Sequence, residues 1–259
     1  MPRYRGTVAY VGTGFHGWQV QANAARTVQA AIEEALAGLS GAPVRVEGAS
    51  RTDAGVHADG QVIHFDLHEP RDPVAVRDAT NRRLPSDVRL LEVLVAQPRF
   101  HARFDARWKE YAYRWSRAPV VPPREAPFVA PISPRADADR MREAAGRLAG
   151  THDFAVFAVR GRGRAEESTV RTIHSVWIVE DENRLAAVFR GDGFLRGMVR
   201  SMCGVLADIA RGRFPPERIA ELLEAGDRRR LAVKAPAKGL TLSRVEYATS
   251  APGPAGSPG

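Results

Sequence analysis

The stretch Ser50-Arg51-Thr52-Asp53-Ala54-Gly55-Val56-His57-Ala58-Asp59-Gly60 sets one carboxylate among a cation, a hydroxyl and a glycine. A compact loop of this kind can hold Asp53 rigidly, with Arg51 supplying a counter-charge and Gly55 a turn that a Cβ would hinder. That arrangement suits a catalytic acid. It equally suits an Asx-turn with a surface aspartate. Asp53, His57 and Asp59 are also hard or borderline metal ligands at close spacing, and His64, Asp66 and His68 alternate as one strand face would. A metal-dependent hydrolase is therefore one reading, and a solvated strand face is its plain counterpart.

Two further groups could bear on chemistry. Tyr111 and Tyr113 share one face of an alternating segment, beside Arg103, Arg107 and Lys109. Aromatics next to cations can stack a splayed base while the cations hold phosphates. The same rings could simply be core. The apolar run from Phe194 to Leu206 carries Arg196 and Arg200, four apart and so on one helix face. A buried arginine there needs a carboxylate or phosphate partner, for which Asp53 is a candidate; on an exposed face it needs none. No Walker pattern and no Gly-x-Ser-x-Gly elbow occurs, and no glycine fingerprint opens a helix after a strand, so a nucleotide cofactor has no support. Cys203 is the single cysteine, which excludes an internal disulfide and a cysteine-rich zinc site.

The elements that must position these residues follow from periodicity. Arg5 to Tyr10 reads as a strand entering a Gly-rich turn, and Arg26 to Leu39 has helical spacing. Val44 to Val46 and Val62 to His68 read as strands around the Asp53 loop. A helix from Pro73 and a strand over Val88 to Val95 follow, then the aromatic strand Trp108 to Trp115. The Pro-rich segment Ala118 to Pro134 is a connector. Beyond it come a helix over Asp137 to Leu148, strands over His174 to Glu180 and Arg184 to Arg190, and helices over Phe194 to Ile209 and Pro215 to Leu223. Leu240 to Tyr247 is a last strand. The order predicts an α+β protein of two similar halves, residues 1–105 and 106–248, each a mainly antiparallel sheet with helices on one face, around a central cleft. The tail 249–259, made only of Ala, Pro, Gly and Ser from Ser250 onward, reads as disordered.

Composition narrows the class. The 259 residues are 44% hydrophobic and 26% charged, enough for a packed core. No apolar run reaches membrane-spanning length, and the first residues lack a signal peptide's apolar stretch, so a cytoplasmic protein is expected. The net charge is +8, and of the 38 basic residues only Lys109, Lys234 and Lys238 are lysines. The excess suits a polyanionic partner, since neutralising phosphates releases counterions. It is also what a GC-rich coding sequence produces.

Taken together, these stretches resemble tRNA pseudouridine synthase A, the family that modifies uridines in the tRNA anticodon arm. The resemblance rests on Arg51-Thr52-Asp53-Ala54-Gly55-Val56-His57 and on Gly12-Thr13-Gly14-Phe15-His16-Gly17-Trp18-Gln19. Asn81-x-x-Leu84-Pro85-x-Asp87, Phe100-His101-Ala102-Arg103-Phe104 and Lys109-Glu110-Tyr111-Ala112-Tyr113 extend it. Gly150-Thr151-His152-Asp153-Phe154, the Phe194–Gly204 run and Gly239-Leu240-x-Leu242 complete it, in the family's order. It implies the pseudouridine synthase fold with a basic cleft, and isomerisation of uridine at positions 38, 39 and 40 of tRNA with the base flipped out. It implies an essential aspartate at Asp53, an active-site tyrosine at Tyr111 and a helix arginine at Arg200 that pairs with the acid. RNA contacts are implied for Arg51, Thr52, His57, Arg103, Arg107, Lys109 and Arg196. A homodimer, no cofactor and no metal are also implied. Three positions depart from the family pattern: Val11 stands for aspartate, Ser50 for glycine and Ser201 for asparagine. A tRNA-binding protein that keeps the scaffold without catalysis is the alternative.

Overall fold

Strand β1, Arg3–Tyr10, alternates half-buried and buried along its whole length, so one face meets the core and the other does not. The computed structural model describes residues 1–21, 26–159, 168–226, 231 and 233–248. The expected disordered tail and the Gly-rich stretch 161–167 lie outside those residues. After β1 come helix α1 (Val28–Ser40), β2 (Val46–Gly48), β3 (His57–Asp66), α2 (Pro73–Asn81) and β4 (Val88–Val95). The second half holds β5 (Ala106–Ser116), β6 (Ala130–Pro131), α3 (Ala138–Gly146), β7 (Gly150–Asp153), β8 (Val170–Glu180) and β9 (Arg184–Gly191). Helices α4 (Met198–Ala210) and α5 (Arg218–Ala225) and strand β10 (Leu240–Tyr247) close the chain.

Side-chain caps fix where the helices begin. The Thr27 hydroxyl accepts from Ala30 N–H at the start of α1, Asp72 does the same for Ala75 ahead of Pro73, and Asp137 accepts from Asp139 and Arg140. Gly41, at φ +74°, ends α1 in the left-handed conformation.

The strands form one sheet in the order β4-β1-β3-β10-β5-β9-β8-β7, with β2 paired to β3 and β6 to β5. Most pairings are antiparallel; β10 against β3 and β6 against β5 are parallel. Each half thus contributes a mainly antiparallel sheet with helices packed on it, and the last strand joins the two into one. This seam positions the site. Leu242 pairs with Ala58 of β3 on one side and Tyr111 of β5 on the other. It therefore brings the loop preceding β3 beside the aromatic strand. One apolar core runs through both halves, from Ile32 and Leu36 through Ile63 and Phe65 to Phe189 and Met202.

Some boundaries differ from the expected ones. Helix α4 starts at Met198, not Phe194, because Gly197 is left-handed at φ +71° and a Cβ there would lie 2.7 Å from Val159. Arg196 therefore precedes the helix and does not share a face with Arg200. Strand β3 begins at His57 instead of Val62, which shortens the Asp53 loop. The edge strand β7 carried no strong alternation and was not expected. Among the described residues no helix is long and apolar enough to cross a membrane.

Candidate active site

The Asp53 loop is fastened at both ends by main-chain hydrogen bonds. Ser50 N–H donates to Gln61 Oε1 at 3.1 Å and Gln61 Nε2 donates back to Ser50 O at 2.7 Å, with the Gln61 side chain fully buried. Val56 N–H donates to Asp53 O, closing a turn at Gly55, φ +79°. The Gly-rich segment after β1 forms the other wall. Trp18 N–H donates to Thr52 O at 3.1 Å, and Gly55 N–H donates to Phe15 O at 3.3 Å. Thr52 is buried and its hydroxyl bonds the Tyr10 hydroxyl at 2.8 Å. His57 is buried as well. Its Nδ1 accepts from Gly12 N–H, so Nε2 carries the proton and donates to Pro127 O at 3.0 Å. Burial holds the imidazole below its usual range, consistent with this neutral bridge.

Asp53 meets Arg200 across this loop, with Tyr111 close enough to feel its charge. Arg200 Nη1 donates to Asp53 Oδ2 at 3.0 Å, and its Nε donates to Ala235 O at 2.9 Å. The fork is thus fixed from two directions. The side chains of Arg200 and Asp53 are 14% and 19% exposed, so the carboxylate is sheltered yet reachable. The Tyr111 hydroxyl lies 2.6 Å from Ser50 Oγ. Burial pushes the phenol up to about 12; the bond to Ser50 opposes this and the Asp53 charge adds to it. Tyr111 is therefore a protonated phenol at physiological pH. Phe194 meets its ring edge-on, with centroids 5.2 Å apart. Tyr113, two residues on, is buried and donates to Pro236 O, a supporting role.

Ser50 and Gln61 were not singled out as site residues. Each acts through a partner far along the chain, and no local spacing reports that. Ser50→Ala removes only the hydroxyl bonded to Tyr111. We expect kcat to fall roughly 2- to 12-fold, the worth of one hydrogen bond, with KM little changed. Steady-state kinetics would check it, and a larger effect on KM than on kcat would count against a positioning role.

The remaining expected RNA contacts divide by placement. Arg51, Arg103, Arg107 and Arg196 are exposed. Lys109 turns inward: it is buried, and its Nζ donates to Ala49 O at 2.7 Å. Burial, with Arg103 and Arg171 nearby, lowers the ammonium to about 8. The metal reading finds no assembled ligands. His64 is buried with Nδ1 accepting from Ala102 N–H, Asp66 is paired with Arg3 at 2.7 Å, and His68 lies past the strand end. Among the described residues no group of three His, Cys, Asp or Glu could hold a metal ion.

The sequence model of the tRNA pseudouridine synthase family matches residues 7–105 and 144–248. A protein named tRNA pseudouridine synthase A from Solidesulfovibrio magneticus is 46% identical over 271 residues, spanning 100% of this chain and 95% of its own. Its namesake from Lawsonia intracellularis is 41% identical, covering 95% of this chain and all of its own length. That from Chlamydia muridarum is 42% identical, covering 93% and 90%. With both halves matched and relatives this similar from end to end, the chain belongs to the tRNA pseudouridine synthase family.

Proposed function

We propose that this protein isomerises uridine to pseudouridine in the anticodon stem-loop of tRNA, at positions 38, 39 and 40, with Asp53 as the essential catalytic residue. The observation that carries the reading is the contact of Asp53 with Arg200 beside Tyr111, three groups from three elements at the seam of the sheet. The reaction breaks the bond from C1′ to N1 and forms one from C1′ to C5. The C5 proton is lost and N1 gains one, so substrate and product are isomers and nothing is consumed. A carboxylate serves this as a nucleophile or as the stabiliser of a cationic sugar. Arg200 holds Asp53 in one orientation, which removes the cost of ordering it during the reaction. Tyr111 stays protonated, so its ring can wall the flipped base while its hydroxyl donates. Unstacking the target costs a few kcal/mol, which contact with such a wall offsets.

No redox step or hydrolysis occurs, so the chemistry calls for neither cofactor nor metal. The protein is proposed to act in the cytoplasm as a homodimer, with Arg51, Arg103, Arg107 and Arg196 on the RNA. The purified protein should release the C5 hydrogen of uridine from an anticodon-arm tRNA transcript, and should do so in excess chelator. Binding without release would overturn the catalytic reading. Affinity should fall linearly with salt on a log–log plot. Replacing one phosphate-contacting arginine should reduce that slope by about 1. An unchanged slope for all four would remove them from the interface.

A further inference from the structure

The loop between β4 and β5 is tied down on several sides. Ala102 N–H donates to His64 Nδ1, Tyr247 hydroxyl donates to Ala102 O at 2.6 Å, and Arg3 Nη1 donates to Phe100 O. His101 and Asp105 bond each other twice, through His101 N–H to Asp105 Oδ2 and Asp105 N–H to His101 O. The N–H groups of Arg103 and Phe104 both donate to His101 Nδ1. Six residues are thereby held in one shape by side chains from β1, β3 and β10. What this shape presents is Phe104, 74% exposed and the most exposed aromatic among the described residues. Its ring lies 4.3 Å from that of His101, centroid to centroid, and the Arg103 guanidinium is 5.7 Å from its centre.

Burial cannot explain this placement, since a ring so exposed gains little from the core. A pinned, solvent-facing ring flanked by a cation has the parts of a base-stacking site: a flat π-face, a positive neighbour for phosphate, and little entropy left to lose. The surroundings favour RNA over a protein partner. Arg107 is exposed on the following strand. Arg103 is close enough to Lys109 to disfavour its charge, and Lys109 lies two residues before Tyr111 on the same strand face. Asp105, the nearby acid, is occupied within the loop.

We propose that Phe104, backed by His101 and flanked by Arg103, is a stacking platform for one unpaired nucleobase of the tRNA, separate from the uridine that reacts. The proposal rests on tRNA being the substrate. It assigns Phe104 a role in binding, not in bond exchange.

The test is steady-state kinetics on an anticodon-arm tRNA with Phe104→Ala, Phe104→Leu, Phe104→Tyr and Phe104→Trp, alongside filter binding of the same tRNA. Stacking on one base predicts that Ala and Leu raise KM and Kd roughly tenfold with kcat kept, while Tyr and Trp stay near wild type. Leu matters because it keeps apolar bulk and loses the π-face. Unchanged KM and Kd in Phe104→Ala would overturn the platform while leaving the catalytic reading intact. Absence of product from the wild-type protein would instead defeat the catalytic reading, and filter binding would still judge the platform. A changed sedimentation coefficient with unchanged tRNA affinity would assign Phe104 to contact between copies of the chain and would also overturn it.

Discussion

Asp53→Asn should lower the rate of pseudouridine formation by at least about 10³-fold while leaving the protein folded and able to bind tRNA. The substitution exchanges one oxygen for an amide nitrogen and changes no volume. Its remaining side-chain oxygen can still accept from Arg200, so the fork keeps a partner. The loop does not depend on the carboxylate, because main-chain bonds from Trp18, Gly55 and Val56 hold it. The Arg200 and Asp53 side chains are only 14% and 19% exposed, but Arg200 keeps a hydrogen bond to the remaining oxygen and its bond to Ala235 O, so the stability cost should stay within about 1–3 kcal/mol. What is lost is the nucleophilic or cation-stabilising oxygen. Single-turnover assays against filter binding would separate the two effects. A variant with near wild-type rate would remove Asp53 from the chemistry.

Gly17→Ala should have the next largest effect, though the residue touches no substrate. Gly17 sits at φ +90°, where an L side chain is strained by about 1–2 kcal/mol. Its added Cβ would lie 2.8 Å from Thr52 O and 3.3 Å from the Asp53 carbonyl carbon. Those neighbours are backbone and cannot rotate away. The segment carrying Trp18 must part from the Asp53 loop, breaking the bond from Trp18 N–H to Thr52 O. A displacement approaching 1 Å costs on the order of 10²-fold in turnover. We expect that loss in kcat/KM, together with a fall in Tm of roughly 5 °C. Gly41→Ala is the control. Gly41 has a similar φ of +74°, but its Cβ would meet nothing within 4 Å. It should therefore lower Tm and spare activity. Equal activity loss in both variants would mean that strain alone, not displacement of the loop, is responsible.

Much of the fold was legible because its signals are local. Strand β10 falls where its alternation puts it, β4 where its β-prone run puts it, and α1 begins one residue after the threonine that caps it. The position of β10 between β3 and β5 was not legible, since a strand's own pattern does not name its neighbours. Glycine explains the misplaced start of α4: the apolar run continues through Gly197, but the backbone there does not. Within the site, Asp53 stood out by its loop. Its contact with Arg200 spans 147 positions, and the residues alone offered it as one option among several. Lys109 looked like a phosphate ligand from its aromatic neighbours, whereas strand pairing turns its side chain toward Ala49. Ser50 was visible only as a departure from the family pattern, and the structure gives that hydroxyl a partner in Tyr111.

This protein is proposed to make pseudouridine in the anticodon arm of tRNA through Asp53. The most direct measurement is a position-resolved map of pseudouridine in tRNA from cells lacking the protein, complemented with wild type or Asp53→Asn. Pseudouridine at positions 38, 39 and 40 should vanish on deletion, return with wild type and stay absent with Asp53→Asn at equal protein level. Its persistence in the deletion strain would remove this protein from the reaction, and its return with Asp53→Asn would remove Asp53 from the chemistry.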